Sequence, residues 1–252
     1  MGHERDRQDS SPRCVVAFVA HPDDEAYSVA GTLALAARSG ARVVVVCATC
    51  GEGGGDPQVR ERELAASCAA IGAEPPCWLG WPDGGVGSLD AEEAGGQLRE
   101  VLVDLAPDVV LSLGRDGAYG HADHLACTAL LDEAVRQLEP MPRLLHVAFE
   151  PGLFKPVWRK LRRVLGADRV PIDDPGSLGV PPAGGQLRVD IESVAQTKRA
   201  AIAAHRSQLL SEDPLVFLVP GLVEALLSEE RFQHVAGPSL PEGEDDPLAG
   251  LE

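Results

Sequence analysis

Apolar residues fall into short, nearly continuous runs that are separated by longer segments with helical character. Such runs, of about four to eight mostly aliphatic residues, are typical of strands buried on both faces of a parallel sheet. Five of them lie in the first part of the chain, at 14–20, 42–48, 77–79, 108–113 and 144–149. The segments between them predict helices that end close to a glycine or a proline, over 24–39, 57–71, 91–105 and 122–138. This alternation predicts an α/β fold, a Rossmann-like and mostly parallel sheet flanked by helices.

The pattern changes after residue 150. Residues 151–186 contain many prolines and glycines around one basic segment, so we expect a variable loop or lid there. The basic side chains of this segment predict either a solvated helix face or a surface that meets an anionic part of a ligand. They are Arg159, Lys160, Arg162 and Arg163.

A C-terminal strand-helix extension follows the loop region. Its predicted elements are a strand, a long helix and a short helix, over 186–190, 191–210 and 219–228. Residues 237–252 are rich in proline, glycine and acidic residues, and residues 1–12 are polar, so both termini are predicted to be disordered. A single domain over 13–236 remains, which suits a chain of 252 residues.

Composition and charge narrow the possible partners. Hydrophobic residues make up 44% of the chain and charged residues 24%, as in ordinary soluble domains. A net charge of -17 disfavours nucleic acids and anionic membranes, which are themselves negatively charged. No apolar run approaches the roughly 20 residues that span a bilayer, and the polar N-terminus lacks an export signal. We therefore expect a cytoplasmic protein, either a monomer or a homo-oligomer.

Six cysteines are scattered along the chain, and without an export signal we expect them to be reduced thiols. Cys47 and Cys50 have the spacing of a redox or metal motif. However, Cys47 continues the apolar run of 43–46, and a glycine-rich segment follows where a redox motif would begin a helix. These features favour packing in the core over thiol chemistry.

Carboxylates and an imidazole follow the first predicted strand, in the segment His21-Pro-Asp-Asp-Glu25. In open α/β sheets, ligands bind at the carboxyl ends of strands, especially where the strand order reverses. The glycine pattern of a dinucleotide-binding loop is absent at this place. His21 and Asp24 are three residues apart at a helix start, where one turn can direct both into the same space.

A second cluster follows the strand that ends near residue 113, in the segment Tyr119-Gly-His-Ala-Asp-His124. It also lies between a strand and a helix, so we expect it at the same edge of the sheet. Together the two clusters bring three imidazoles and three aspartate carboxylates to one crevice. Because catalytic zinc commonly takes three nitrogen or oxygen ligands and keeps a position open for water, we predict a metal site. The same ligand types would also suit Fe(II).

These two segments resemble the motifs of the LmbE-like or PIG-L family, which are zinc-dependent N-acetylglucosaminyl deacetylases. The matches run in the family's order through most of the chain. One departure is Ala122, where the family usually has proline, and it affects no ligand. Further similarity lies at Thr49 to Gly54, Arg60 with Glu63, Leu79 to Gly84, Lys198, and His205 to Gln208.

The resemblance implies a set of metal ligands and a general base. His21, Asp24 and His124 match the zinc ligands of the family. Asp23 matches the base that takes a proton from the attacking water. Amide hydrolysis agrees with this inventory, because a metal ion polarises the carbonyl and acidifies water while a nearby carboxylate accepts the proton.

The resemblance also implies residues that act on the rest of the substrate. His121 matches the imidazole that stabilises the oxyanion and protonates the leaving amine, and Asp123 matches the residue that orients it. Tyr119 matches a tyrosine that assists at the oxyanion. Contacts with the substrate are expected at Arg60 and Asp83. Apart from the resemblance, Glu52 in the glycine-rich loop predicts either a contact with the substrate or a solvated turn.

The function implied is a zinc-dependent hydrolase that removes an N-acetyl or other N-acyl group from a small-molecule amino sugar or glycoconjugate. Two alternatives stay open, an amidase of a thiol-sugar conjugate and a sugar-binding module without catalysis. Asp23 and His121 disfavour the binding module, because a binder needs no base and acid beside a metal. His205 and Gln208 either line the site or pack within the fold.

Overall fold

A computed structural model describes residues 12–153, 155–165, 179–181, 186–209, 211, 213–215 and 221–251. Seven strands form its central sheet: β1 Cys14–Val19, β2 Arg42–Thr49, β3 Cys77–Trp81, β4 Val109–Ser112, β5 Arg143–Val147, β6 Gln186–Asp190 and β7 Glu229–Ala236. Their order across the sheet is β3-β2-β1-β4-β5-β7-β6. Strands β1 to β5 are parallel, and β7 is antiparallel to both of its neighbours. The α/β, mostly parallel fold predicted from the sequence is therefore confirmed.

Helices cover both faces of this sheet. They are α1 Asp24–Ser28, α2 Ala30–Arg38, α3 Pro57–Ile71, α4 Ala91–Leu105, α5 Gly117–Gly120, α6 Ala122–Arg136, α7 Lys155–Leu165, α8 Ala195–Ala204 and α9 Leu222–Ser228. Helices α1, α2, α3 and α8 contribute to the core on one face, and α4 and α6 contribute to the core on the other. Every residue of β1 is buried between these layers, which explains the continuous apolar runs of the central strands.

Side chains at the helix starts follow the expected capping chemistry. The Asp56 carboxylate accepts a hydrogen bond from the backbone N–H of Gln58, and Pro57 occupies the first turn of α3. The Asp90 carboxylate accepts hydrogen bonds from two backbone N–H groups at the start of α4. At the end of α3, Gly72 adopts a φ of 89°, a left-handed conformation that suits glycine.

The predicted helix over 24–39 is two helices, with a break at Val29, where φ is -137°. The buried Glu230 carboxylate explains why a new helix begins there. It accepts hydrogen bonds from the backbone N–H groups of Gly31 and Thr32, at 2.9 and 2.8 Å. Because these donors lie in the first turn of α2, Glu230 acts as a cap supplied from the other end of the chain.

The C-terminal region differs from its prediction in two ways. The helix expected over 191–210 is shorter, since α8 ends at Ala204 and short 3₁₀ turns flank it. Strand β7 was not expected, and it lies between β5 and β6. This strand begins with charged residues, so the hydrophobic pattern did not reveal it. Glu230 is nevertheless buried, because it pairs with the buried Lys198 at 2.6 Å. The short helix expected over 219–228 begins at Leu222 within the described residues.

Part of the C-terminal segment contacts the start of β5, and the disorder predicted over 237–252 stays a prediction. Arg143 is fully buried, with 0% of its surface exposed. Its guanidinium donates hydrogen bonds to the backbone oxygens of Pro238 and Ser239, at 2.9 and 2.8 Å, and to that of Pro247. Composition does not reveal this, because the acceptors are backbone carbonyls that any sequence provides.

Several predictions concern residues outside the described part of the chain. Residues 1–11 lie outside it, so the predicted N-terminal disorder stays a prediction. The same holds for 166–178 and 182–185 of the predicted lid. Among the helices described, none is long and apolar enough to cross a bilayer.

The basic segment of the lid region forms α7. Val157 is buried against the core, and Arg159 and Arg163 are exposed. The Arg162 guanidinium lies over the ring of Trp158, 4.8 Å from its centroid. This arrangement leaves a basic face on α7, in a region that follows the carboxyl end of β5.

Candidate active site

The strand order reverses at β1, which has β2 on one side and β4 on the other. Strands β1 and β4 run in parallel and in register, so their carboxyl ends meet at the same edge of the sheet. His21 follows β1, and the segment 117–124 follows β4. This edge is where doubly wound sheets bind their ligands, so both sequence motifs lie at the expected place.

Three side chains bring nitrogen and oxygen atoms close together at this edge. His21 Nδ1 lies 3.2 Å from His124 Nε2 and 3.5 Å from Asp24 Oδ2. His124 Nε2 lies 3.3 Å from Asp24 Oδ1. His21 and His124 are both buried. The three residues predicted as metal ligands are thus neighbours in the structure.

These spacings suit a metal ion. Around a tetrahedral zinc ion with bonds of about 2.1 Å, neighbouring donor atoms lie about 3.4 Å apart. The three observed distances, 3.2, 3.3 and 3.5 Å, agree with that value. A second set uses His121 with His21 and His124, whose ring nitrogens lie within 4.8 Å of one another. The contacts of both His21 and His124 with the Asp24 carboxylate support the set that contains Asp24.

The remaining ring nitrogens of both histidines have acceptors behind them. His124 Nδ1 lies 3.1 Å from the backbone oxygen of Gly117, so this nitrogen carries the proton and Nε2 is free to bind. His21 Nε2 lies 3.2 Å from Asp83 Oδ1 and 3.2 Å from Asp123 Oδ2. Carboxylates and carbonyls in this position fix the tautomer and orientation of metal-binding histidines.

The Asp123 carboxylate has a different partner from the one predicted. The resemblance implied that it orients His121, whereas it contacts His21 and accepts hydrogen bonds from the backbone N–H groups of Gly84 and Val86, at 2.7 and 3.1 Å. Only the Asp123 backbone N–H meets His121, donating to Nδ1 at 3.2 Å. His121 is the N-cap of α6, and this turn carries the Asp123 side chain towards His21.

Charge at the site follows from burial and close contacts. Burial alone would lower the pKa of His21, but Asp24, Asp83 and Asp123 outweigh it and raise this pKa to about 9. Burial would raise the pKa of Asp24, but the contacts with His124 and His21 hold it well below its ordinary value. The set therefore contains an ionised carboxylate and is electrostatically prepared for a cation.

The Asp23 carboxylate lies beside the three predicted metal ligands. Burial and the neighbouring charge of Asp24 raise the pKa of Asp23 to about 7, and Arg60 opposes this rise. The Arg60 guanidinium lies 3.4 Å from Asp23 Oδ2 and donates a hydrogen bond to the backbone oxygen of Pro22. A carboxyl with a pKa near neutrality is suited to accept and release a proton.

His121 and Tyr119 complete the aromatic side of the site. The His121 ring stacks on that of His124 with centroids 4.7 Å apart and meets that of His21 at 4.8 Å. Burial and these two rings lower the pKa of His121. The Tyr119 ring lies 6.0 Å from that of His121 and 5.2 Å from that of His124. The seven residues predicted to bind metal or act in catalysis are therefore brought together, and their individual roles stay predictions.

Comparison with known sequences identifies the family to which the chain belongs. The family profile named PIG-L, GlcNAc-PI de-N-acetylase, matches residues 16–135. A 1D-myo-inositol 2-acetamido-2-deoxy-alpha-D-glucopyranoside deacetylase from Saccharomonospora viridis is 30% identical over 266 residues, covering 92% of this chain and 97% of that protein. The chain belongs to the PIG-L family. The family resemblance and the expected enzyme class, a hydrolase of the deacetylase type, are confirmed.

Solved structures confirm the fold of this PIG-L member but do not specify its reaction. An N,N'-diacetylchitobiose deacetylase from Pyrococcus horikoshii has a TM-score of 0.60 and 22% identity, covering 88% of this chain and 84% of that one. A 4-carboxy-2-hydroxymuconate hydratase from Pseudomonas putida KT2440 has a TM-score of 0.63 and 20% identity, covering 92% and 99%. Because a hydratase shares the fold, the reaction must be argued from the site and from the sequence relatives.

Two loops at the rim are joined by reciprocal hydrogen bonds. Asp83 Oδ2 accepts from the backbone N–H of Gly53 at 2.9 Å, and Glu52 Oε1 accepts from the backbone N–H of Asp83 at 2.9 Å. Gln208 Nε2 donates to the backbone oxygen of Gly54 at 3.1 Å. Asp83 and Glu52, both expected to contact substrate, therefore border the site and also fix the shape of its rim.

Arg60 lies beneath the glycine-rich loop of this rim. Only 3% of its surface is exposed. A Cβ atom on Gly51 or Gly54 would meet the Arg60 guanidinium at 3.0 Å, so the loop can close over it only with glycine at these positions. The structure thus places Arg60 against Asp23 and Pro22, whereas the resemblance implied a contact with the sugar.

The cysteine pair stands apart from the chemistry of the PIG-L site. Cys47 is fully buried, and its thiol contacts the backbone oxygen of Thr49 at 3.3 Å. Burial raises the pKa of Cys47 well above its usual value, and burial and Glu61 raise that of Cys50 to about 11. Reactive thiols have lowered pKa values, so core packing remains the better interpretation.

Glu25 and His205 are buried behind the site, and no firm role was predicted for either residue. Glu25, the last residue of the first motif, has 0% of its surface exposed and lies 2.7 Å from His205 Nε2. His205 therefore does not line the site. The available signal was a carboxylate directly after the metal motif, at a position where a solvated helix start would usually be expected.

Proposed function

We propose that this PIG-L family member is a zinc-dependent deacetylase that hydrolyses the N-acetyl group of an amino sugar conjugate. The observation that carries the proposal is the contact of His21 Nδ1 with His124 Nε2 at 3.2 Å, together with the Asp24 carboxylate, whose two oxygens lie 3.5 Å from the first nitrogen and 3.3 Å from the second. Two imidazoles and one carboxylate match the donor sets of catalytic zinc sites. A bound metal ion would displace the proton that His21 otherwise holds. Fe(II) would suit the same donors.

Zinc in this position would supply Lewis acidity, which makes an amide carbonyl more electrophilic and a coordinated water more acidic. Asp23 lies next to Asp24 and is supported by Arg60 at 3.4 Å, so its carboxylate can take the proton of the attacking water. This role needs a carboxylate that borders the metal without binding it, and the position of Asp23 next to Asp24 in the chain supports the assignment.

His121 is the proposed acid and oxyanion donor on the other side. Its Nδ1 is occupied by the Asp123 backbone N–H, so Nε2 is the nitrogen available to the substrate. A proton held there can stabilise the developing oxyanion and then pass to the leaving amine. The Tyr119 hydroxyl is the proposed second donor at the oxyanion, and such donors contribute roughly 3 kcal/mol each.

The substrate class rests on the relatives and on the rim. The relative from Saccharomonospora viridis is named for a substrate in which 2-acetamido-2-deoxyglucose is joined to inositol. We propose an N-acetylglucosamine conjugate of comparable size for this chain, held against Glu52 and Asp83. Both side chains are hydrogen-bonded at the rim and can accept hydrogen bonds from sugar hydroxyls.

The test uses the purified full-length protein loaded with zinc. We expect one zinc ion per chain and release of free amine from at least one member of a panel of N-acetylglucosamine conjugates, including inositol and thiol conjugates. Asp23→Asn should retain zinc and lower kcat at least about 100-fold, as loss of a general base commonly does. His124→Ala should lose zinc as well.

The control variant is Asp104→Asn, which removes one negative charge from the exposed surface of α4. It should match the wild type in zinc content and in kcat. A protein that binds no stoichiometric divalent metal would contradict the proposal. So would Asp23→Asn with full activity, because the water would then lose its proton to another group.

A further inference from the structure

A buried group of three side chains lies directly behind the proposed base. We call it the Glu25 cluster, and it consists of Glu25, Ser67 and His205. All three residues are fully buried, with 0% of their surface exposed. Glu25 Oε1 accepts a hydrogen bond from Ser67 Oγ at 2.6 Å and from His205 Nε2 at 2.7 Å. Glu25 Oε2 accepts one from the backbone N–H of Asp23 at 3.0 Å.

The backbone that receives this last hydrogen bond has an unusual conformation. Asp23 has a φ of 119° and a ψ of -25°, a left-handed conformation that non-glycine residues adopt only at a cost. Its own carbonyl oxygen accepts the backbone N–H of Ala26 at 3.0 Å, which begins α1. Such a conformation persists only where surrounding groups hold it.

We propose that Glu25 is a positioning residue, which holds the left-handed backbone of Asp23 through its N–H and thereby aims the Asp23 carboxylate. Ser67 and His205 fix the Glu25 carboxylate from behind. The proposal rests on the proposed function in one respect, because it takes Asp23 to be the base. Glu25 itself touches neither the metal donors nor the substrate side.

The chemistry of the cluster requires a carboxylate at position 25. Three donors converge on Glu25, two on Oε1 and one on Oε2. A glutamine has one oxygen acceptor, so its NH₂ group would face either the Asp23 N–H or the pair of donors behind it. Buried donors left without an acceptor are costly, so the Asp23 N–H would lose its partner or the cluster would rearrange.

Helix α8 provides a matched control for ordinary structural effects. Lys198 lies on this helix, is also buried, and pairs with Glu230 at 2.6 Å. Glu230 in turn holds the backbone of Gly31 and Thr32 at the start of α2, away from Asp23. Lys198→Met should therefore lower stability without changing the geometry of the base.

The experiment compares Glu25→Gln and Lys198→Met in the zinc-loaded full-length protein. For Glu25→Gln we expect kcat to fall about 10- to 100-fold, as for losses of supporting contacts at other metal sites. KM should change less than about twofold, and zinc should remain at one ion per chain. The backbone amide of Asp23, followed by NMR, should exchange with solvent faster than in the wild type. Lys198→Met should keep the wild-type kcat and amide exchange.

A second variant covers the case in which Glu25→Gln does not fold. Ser67→Ala keeps the Glu25 charge and removes one donor behind it, so it should give a smaller loss of kcat and a smaller gain in amide exchange. Unchanged protection of the Asp23 amide in both variants overturns the proposal. Loss of zinc in proportion to kcat also overturns it, because Glu25 would then act through Asp24.

These readouts separate the positioning role from the proposed function. Amide exchange at Asp23 requires no substrate, so it tests the Glu25 contact even if no conjugate is hydrolysed. Wild-type protein without deacetylase activity but with accelerated exchange in Glu25→Gln would contradict the proposed function alone. Wild-type activity together with an unaffected Glu25→Gln enzyme would contradict the positioning role alone.

Discussion

The His21 ring is held by side chains that lie on the side away from the metal donors. Asp83 and Asp123 each place a carboxylate oxygen 3.2 Å from His21 Nε2. Asp123 is itself fixed by the backbone N–H groups of Gly84 and Val86. This second layer leaves Nδ1 to face the proposed metal position, and it would make the ring a better donor because its N–H faces negative charge.

We expect Asp123→Asn to lower zinc affinity about 10- to 100-fold, because the ring of His21 then loses a charged acceptor. Competition with a chromophoric chelator measures this affinity directly. Asp104→Asn, exposed on α4, is the charge-matched control and should leave zinc affinity unchanged. Wild-type affinity in Asp123→Asn would mean that Asp83 alone is sufficient to hold the ring.

Two helical glycines that look alike in the sequence have different surroundings. A Cβ atom on Gly31 of α2 would lie 2.7 to 2.8 Å from three side-chain atoms of Ile191, which is fully buried. A Cβ atom on Gly95 of α4 would meet no atom within 4 Å. The first glycine therefore permits close packing of α2 on the segment after β6, and the second has no such role.

We expect Gly31→Ala to lower the free energy of unfolding by about 1–3 kcal/mol, since the added methyl overpacks a filled core. Gly95→Ala is the matched control and should raise it by about 0.5–1 kcal/mol, because alanine is the better helix former. Urea unfolding of both variants measures the two changes. A stabilised Gly31→Ala would show that Ile191 can move aside at little cost.

The elements that were predicted from the sequence are those with a simple periodicity. The five parallel strands are nearly continuous apolar runs, so the hydrophobic pattern was sufficient to predict them. Helices α3, α4 and α6 were predictable because capping residues, glycine or proline mark their ends. The break at Val29 and the strand β7 were not predictable in this way. Both depend on Glu230, whose burial is explained by Lys198 and by the N–H groups of α2, which are distant in sequence.

The site shows the same division between local and distant information. The closeness of His21 and His124 was predictable, because the spacing within each motif and its position at a strand end determine where these two residues lie. The partner of the Asp123 carboxylate was not, since it depends on how α6 turns at its His121 cap. The inward position of Arg60 depends on the glycine-rich loop above it, which no spacing rule describes.

At the scale of the whole molecule, one buried cation connects the sheet with the end of the chain. Arg143 begins β5, and its guanidinium donates to three backbone oxygens in residues 238–247. A second connection joins Arg13 to the backbone oxygen of Leu251 at 2.6 Å. The acidic tail therefore supplies acceptors to the amino edge of the sheet, although its composition is typical of disorder.

We expect removal of residues 238–252 to lower the free energy of unfolding by about 3–5 kcal/mol, because the Arg143 guanidinium loses three backbone acceptors and Leu240, Leu248 and Leu251 no longer pack against the core. For a chain of this size, that loss corresponds to a fall in Tm of about 10 °C. In the Arg143→Met background the same truncation should cost less, since no guanidinium remains to lose its acceptors. Urea unfolding of the wild type, the truncated protein, Arg143→Met and the combined variant completes a double-mutant cycle. Contacts such as that of Arg13 are lost in both backgrounds, so their contribution cancels in the cycle. Equal costs in both backgrounds would show that the tail is held by its other contacts and that Arg143 does not depend on it.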